Sequence, residues 1–348
     1  MIHIRRVLRA VKSTPWAILP DKLEEILALV DGHDSGIRYT AEEVQARIGS
    51  PPRAEPKVAG STAVIPLHGV IAQRANVTTE ISGGTSTERF RDTLRGYLAD
   101  PDVSSIVLDI DSPGGTVFGV AELAAEIRKM RGRKPIVAVA NSLAASAAYW
   151  IGSQASEFVV TPSGLVGSIG VIAVHTDVSK AEEMEGFKTT PVTAGKYKAE
   201  GSEFEPLGEE ARAEMQSRVD SYYGMFVRDV AAGRGVHANV VLDSYGEGRV
   251  VTADKAVSLG MADRIATLDQ VIAKLSRQPA SRSMSASDAV EIAAEEPAAA
   301  PPTAEEPPAA PKKTTPLELR LRQLEAFSRG PRISGEMPEK ETLHHGTA

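Results

Sequence analysis

Residues 135–150 read PIVAVANSLAASAAYW, and this stretch decides the fold class of the chain. Pro135–Ala140 is a short continuous apolar run, which predicts a buried strand. The small residues around Ser146, followed by Tyr149 and Trp150, predict a helix that packs closely on a sheet. Ser146 therefore lies where a predicted strand passes into a predicted helix.

The preceding segment has the same order of strand, turn and helix. Ser104–Ile110 predicts a buried strand, Asp111–Gly115 is a Ser-Pro-Gly-Gly-containing turn, and Val117–Met130 carries apolar residues at helical spacing. Strands that alternate with helices predict an α/β fold with a parallel sheet. Because sites in such sheets collect beyond the carboxyl ends of the strands, we expect the glycine turn and Ser146 to lie close together.

Ser146 and the glycine turn together are suited to acyl transfer. A serine hydroxyl becomes a nucleophile when a base removes its proton, and backbone amides near glycines can stabilise the oxyanion that develops. Each feature also has a simpler interpretation. Pro-Gly-Gly can be only a tight turn, and the hydroxyl of a helical serine can bond to its own backbone.

Lys198 and His175 are the two candidate bases. A lysine, whose ordinary pKa is about 10.4, acts as a base only when burial lowers that value. Tyr197 and Phe204 could supply apolar surroundings for Lys198, although most lysines are solvated surface groups. His175, which lies beside Asp177, keeps a serine/histidine mechanism open.

Residues 61–277 resemble the signal peptide peptidase A (protease IV) family of serine peptidases. That resemblance implies the ClpP/crotonase-like fold, an α/β fold built from repeated ββα units. The matching motifs occur in the family's order and spacing, and they are Asp111–Gly115, Ala144–Ser146, Gly167–Ile172, Gly195–Lys198 and Gly248–Thr252.

The resemblance also implies a role for each motif. Ser146 would be the nucleophile and Lys198 its general base, while Ser168 would bond to the lysine amine and orient it. The amides of Gly115 and Ala147 would form the oxyanion hole, with Gly114 in support. Ala147-Ala148 replaces the more usual Gly-Gly, which keeps the amide donor and narrows the pocket. Family members assemble into rings, so we expect a homo-oligomer in which neighbouring subunits can share a site.

Composition restricts the setting of this chemistry. The 348 residues contain 42% hydrophobic residues and no cysteine, so a large core is expected and disulfides are excluded. The formal net charge of −7 argues against nucleic-acid binding. No sequence motif indicates a binding site for a cofactor or a metal ion.

The chain divides by composition into four segments. We predict an N-terminal helical extension over residues 1–60, a Ser/Lys peptidase domain over 61–277, a disordered Ala/Pro/Glu-rich linker over 278–316, and a tail over 317–348 with a short amphipathic helix. The basic residues 1–12 are not followed by a long apolar run, so we expect no membrane span and a cytoplasmic location, or the prohead interior if a phage encodes the chain.

These observations lead to one main hypothesis and three alternatives. The main hypothesis is a serine endopeptidase that cleaves scaffold, portal or capsid proteins during phage prohead maturation, because Trp16–Pro20 followed by the amphipathic Leu23–Val30 resembles a segment of phage head maturation proteases. The alternatives are a cytoplasmic peptidase of the same family acting on signal peptides or unfolded peptides, a crotonase-like acyl-CoA binder, and an inactive scaffold or assembly factor.

Overall fold

A computed structural model describes residues 14–34, 37, 39–40, 43–44, 54–74 and 84–277 of the chain. The chain divides into two units, Met1–Ser285 and Ala286–Ala348, and every described residue lies in the first. The predicted linker, the predicted tail and the basic residues 1–12 lie outside the described residues. The predicted boundary after residue 60 stays a prediction.

The described part of the chain contains twelve strands and nine helices. The strands are β1 (Trp16–Ile18), β2 (Lys57–Ala59), β3 (Thr62–His68), β4 (Ile71–Ala72), β5 (Thr85–Ser86), β6 (Ser105–Ser112), β7 (Gly114–Thr116), β8 (Ile136–Ala145), β9 (Glu157–Val160), β10 (Leu165–Gly167), β11 (Val250–Thr252) and β12 (Arg264–Ile265). The helices are α1 (Pro20–Asp34), α2 (Thr87–Ala99), α3 (Val120–Met130), α4 (Ala147–Gly152), α5 (Ser179–Met184), α6 (Glu209–Arg234), α7 (Ala238–Ser244), α8 (Ala253–Ser258) and α9 (Leu268–Arg277).

An eight-stranded sheet forms the centre of the fold. Its main path runs β11-β10-β8-β6-β3-β2, with β9 and then β12 continuing from the first half of β8. The central strands β3, β6 and β8 are parallel, and β2 and β11 add antiparallel edges. A four-stranded sheet, ordered β1-β7-β4-β5, contains the glycine turn.

Helices cover both faces of the large sheet, so its central strands are buried on both sides. The main core lies between the sheet and the helices α2, α3, α4 and α6. On the other face, Val137, Val139 and Val159 pack against Val271 and Leu275 of α9. Continuous apolar strands are expected when both faces of a parallel sheet are covered. The α/β class predicted from the sequence is confirmed.

Several predicted elements agree closely with the structure. The strands predicted over Ser104–Ile110 and Pro135–Ala140 correspond to β6 and β8, and the helix predicted over Val117–Met130 corresponds to α3. Ser86 caps α2 by accepting a hydrogen bond from the amide of Arg89. None of the described helices combines the length and the apolar character that a membrane span requires.

Candidate active site

Ser146 lies on a sharp turn between β8 and α4. Its backbone has φ 53° and ψ −118°, a conformation that residues with a side chain rarely adopt. Such a conformation is unfavourable by about 1–3 kcal/mol and persists where the surroundings impose it. A strained serine that joins a strand to a helix presents its hydroxyl away from both elements, as a nucleophile requires.

The two aromatic residues of α4 hold this turn in place. Tyr149 and Trp150 are fully buried. The Tyr149 hydroxyl donates to the carbonyl of Met261 at 2.9 Å, and Trp150 stacks on Phe226 with ring centroids 4.5 Å apart. Burial of one large side chain contributes about 1.5–3 kcal/mol, so two such anchors offset the strain at Ser146.

Tyr149 is not a base for the neighbouring serine. Burial raises the pKa of the Tyr149 phenol well above its ordinary value, so the phenol remains protonated. Its proton is also committed to the Met261 carbonyl. Tyr149 therefore has a structural role.

The Ser146 hydroxyl is buried and has no hydrogen-bond partner among the described residues. The alternative interpretation, a helical serine bonded to its own backbone, is therefore wrong for this hydroxyl. A buried polar atom left unpaired is unfavourable by about 1–3 kcal/mol, and such an atom calls for an explanation. A ligand that enters the site and reacts with the Ser146 hydroxyl would explain why this hydroxyl has no partner in the chain itself.

The glycine turn lies directly against Ser146. Gly114 has φ 101°, and a Cβ atom placed on it would be 3.0 Å from Cβ of Ser146. A Cβ atom on Gly115 would overlap the backbone of Ile71. Only glycine fits at both positions, and the sequence prediction that the turn and the serine meet is confirmed by this geometry.

Ser112 supports the turn, a role that the sequence analysis missed. Its buried hydroxyl donates to the carbonyl of Gly69 at 2.6 Å and accepts from the amide of Gly114 at 3.2 Å. A serine two residues before a glycine that needs a positive φ is a recognisable turn signal.

Ala147 and Ser168 also lie beside Ser146. Ala147 is the first residue of α4, and the first amides of a helix have no partner inside it. Strand β10 pairs in parallel with β8 so that Gly167 is opposite Ala145, and the Gly167 carbonyl accepts from the Ser146 amide at 2.7 Å. Ser168 follows this pair, is buried, and has φ 53°.

Lys198 does not reach Ser146 within the described part of the chain. It lies in an exposed turn, and no hydrogen bond joins its amine to Ser146 or Ser168. The apolar surroundings expected from Tyr197 and Phe204 do not bury it: Tyr197 is itself 52% exposed and donates its hydroxyl to Glu210.

Lys198 belongs to a long excursion, residues 176–207, which we call the arm. Large apolar side chains of the arm are uncovered, including Met184 (89% exposed), Phe187 (66%) and Val192 (96%). Its one helix, α5, has no buried residue. The arm therefore presents apolar surface that the described part of its own chain does not cover.

His175 does not contact Ser146 either. Its Nε2 atom is buried without a hydrogen-bond partner among the described residues, in a pocket of about 240 Å³ formed with Pro15, Glu214 and Arg218. The Ser146 hydroxyl is likewise unpaired, so the described chain contains no serine/histidine pair at this site.

A second polar group, not predicted from the sequence, is formed by the last residue of β3 and by residues in the second halves of β6 and β8. Nε2 of His68 is 3.4 Å from a carboxylate oxygen of Asp109, whose other oxygen accepts from Asn141 at 3.0 Å. The polar residues that interrupt the apolar strands at these positions were a usable signal. In the described ranges, no group of three or more histidine, aspartate and glutamate side chains could hold a metal ion.

The sequence around Ser146 matches the model of a known protein family. Residues 128–281, which include the serine, Ser168 and Lys198, match the profile of peptidase family S49. The resemblance drawn from the sequence motifs is confirmed.

Proteins similar in sequence to this chain include phage and bacterial proteases. Capsid assembly protease C of Escherichia phage lambda is 33% identical over 238 residues, which cover 66% of this chain and 54% of that protein. Protease 4 of Salmonella typhi is 31% identical over 216 residues, covering 62% of this chain and 34% of that protein. The chain thus spans about half the length of the first relative and a third of the second.

Among solved structures, the chain is similar to a mutant of ClpP1 from Listeria monocytogenes. The TM-score is 0.38 at 14% identity, covering 60% of this chain and 94% of that chain.

Proposed function

We propose that this chain is a serine endopeptidase whose nucleophile is Ser146. The observation that carries the proposal is the buried, unpaired Ser146 hydroxyl on a strained turn directly against Gly114 and Gly115. Acyl transfer needs a nucleophile next to amide donors, and the amides of Gly115 and Ala147 flank this serine. The S49 match supports the same reaction class.

Lys198 is the proposed base, and we propose that it comes from a neighbouring subunit. Two observations support this arrangement: Ser146 has no base at hydrogen-bond distance in its own described chain, and the arm carrying Lys198 exposes large apolar side chains. Apolar surface of this kind is typical of a protein interface. Docking the arm on a second copy would bury the lysine amine, and burial favours the neutral form that a base requires.

The proposed substrates are proteins of a virus capsid under assembly. This proposal rests on the similarity to capsid assembly protease C, and the chain would act inside the host cytoplasm or the assembling prohead. Ser168 would accept or donate a hydrogen bond at the incoming lysine amine, since it lies beside Ser146 and is buried.

We expect Lys198→Ala to reduce cleavage of an unfolded protein by about a hundredfold or more, because the serine loses the group that takes its proton. The matched control is Lys196→Ala, two residues away, whose amine bonds to Tyr197 and Glu210. Lys196→Ala and His175→Ala are expected to retain activity, as read by mass spectrometry of the products. An inactive His175→Ala protein beside an active Lys198→Ala protein would replace this mechanism with a serine/histidine one.

Mixing two inactive variants tests the shared site. Ser146→Ala supplies an intact Lys198, and Lys198→Ala supplies an intact Ser146, so mixed assemblies should recover part of the activity that each protein lacks alone. If both variants are inactive and remain so after joint refolding, Lys198 acts within its own chain.

A further inference from the structure

Strand β1, Trp16–Ile18, is inserted into the candidate active site from the N-terminal part of the chain. It pairs antiparallel with β7, placing Ala17 opposite Gly115 and Ile18 opposite Gly114. The amide of Leu19 donates to Pro113 at 2.9 Å, and the amide of Val117 donates to Pro15 at 3.2 Å. Hydrogen-bonded and non-hydrogen-bonded pairs alternate along an antiparallel ladder. Ala17 and Gly115 lie midway between the two hydrogen-bonded positions just named, so they also form a hydrogen-bonded pair.

The other edge of β1 is also occupied. Trp16 and Ile172 exchange two backbone hydrogen bonds of 2.8 Å each. Ile172 lies just beyond Ser168 in the chain, so β1 bridges the glycine turn on one side and the Ser168 segment on the other. An extended peptide bound between two such edges is held mainly by backbone hydrogen bonds, independently of most of its sequence.

The centre of β1 lies at the reacting groups. A Cβ atom placed on Gly114 would overlap the carbonyl oxygen of Ala17 and would be 3.0 Å from Cβ of Ser146, so all three groups are close together. The Ala17 carbonyl also pairs with Gly115, whose amide is a proposed oxyanion donor. The Ala17 carbonyl therefore lies beside the proposed nucleophile and pairs with the proposed oxyanion donor. Ser146 itself has no exposed surface.

We infer that Trp16–Ile18 occupies the groove that receives the substrate, so that the chain holds its own peptide in the active site until this segment leaves. The inference rests on the proposed peptidase function. The groove takes an extended peptide with a small residue at the position of Ala17, whose side chain is fully buried in the main core. Apolar residues suit the flanking positions, where Trp16 and Ile18 are buried.

The segment is held by a small apolar cluster of its own. Trp16 and Ile18 pack with Leu23, Ile26 and Leu29 of α1 and with Val70, separately from the main core. Release of β1 would disrupt this cluster while leaving both faces of the large sheet covered. A unit with few buried apolar contacts opens at lower free energy than the core around it.

A reversible disulfide tests the inference directly, since the chain has no cysteine of its own. Trp16 and Thr116 face each other as a pair next to the hydrogen-bonded Ala17 and Gly115. Such pairs have Cα atoms about 4.5 Å apart, within the range of about 4.4–6.8 Å that disulfides span. Trp16→Cys with Thr116→Cys should therefore fix β1 in the groove when oxidised and release it when reduced.

We expect the oxidised protein to cleave an unfolded protein at least about tenfold more slowly than the reduced protein, because the fraction with an open groove falls. The matched control is Val58→Cys with Ala63→Cys, an antiparallel pair at the far edge of the large sheet, where oxidation should leave the rate unchanged. Equal rates for the oxidised and reduced Trp16/Thr116 variant would overturn the inference.

A binding measurement separates this inference from the peptidase proposal. The probe is a synthetic peptide of residues 14–19, added to the same double-cysteine variant. Binding to the reduced form alone supports the inference even if no form cleaves protein, an outcome that would count against the peptidase proposal only. Equal binding to both forms, or no binding to the reduced form, would overturn the inference.

Discussion

Replacing Ser146 with alanine is expected to reduce protein cleavage by about a thousandfold or more, because the other serine hydroxyl described at the glycine turn, that of Ser112, donates its proton to the Gly69 carbonyl, whereas the Ser146 hydroxyl has no partner. The measurement is the rate at which purified protein cleaves an unfolded substrate. Thermal stability should stay the same or increase slightly, since the substitution removes a buried hydroxyl without a partner.

Ser153→Ala is the matched control for this experiment. Ser153 lies just after the same helix, is equally buried, and donates its hydroxyl to the carbonyl of Trp150 at 2.9 Å. Its loss should lower stability by about 1 kcal/mol and leave the cleavage rate unchanged. A Ser146→Ala protein as active as this control would show that Ser146 is not the nucleophile.

Gly115→Ala is expected to abolish cleavage and to destabilise the fold by about 3 kcal/mol or more, because its Cβ atom would overlap the backbone of Ile71. Backbone cannot move aside as a flexible side chain can, so β4 and β7 would have to separate. The separation would displace the Gly115 amide from the site. Chemical denaturation measures the loss of stability, and the cleavage assay measures the loss of activity.

Gly96→Ala controls for the general effect of adding a methyl group. Gly96 lies in α2, and a Cβ atom there meets nothing within 4 Å. Alanine should stabilise this helix by about 0.4–1 kcal/mol and leave activity intact. A Gly115→Ala protein of wild-type stability and activity would contradict the close approach of β4 and β7.

The sequence was sufficient to predict the local order of elements around Ser146. The continuous apolar run before the serine identified a strand buried on both faces, and the small residues after it identified the tightly packed helix α4. The rule that sites lie at the carboxyl ends of parallel strands then brought Gly114 and Ser146 together. These predictions depend on local pattern and on general sheet geometry.

The contacts between distant segments were not predictable from the same patterns. Trp16–Ile18 was assigned to an N-terminal extension, since a three-residue strand has too little periodicity to show which edge it joins. The exposure of Lys198 was also missed, because burial depends on what covers the arm rather than on its neighbours in sequence. Strand register decides the first feature, and the packing of segments distant in sequence decides the second.

The most direct test of the account is covalent labelling with a serine-directed fluorophosphonate, located by mass spectrometry of peptides. The account predicts a label on Ser146, absent from the Ser146→Ala protein and retained in the His175→Ala protein. Labelling that is equal in wild-type and Ser146→Ala proteins, or a wild-type protein that takes no label during prolonged incubation, would contradict the central claim that Ser146 is the nucleophile of a serine peptidase.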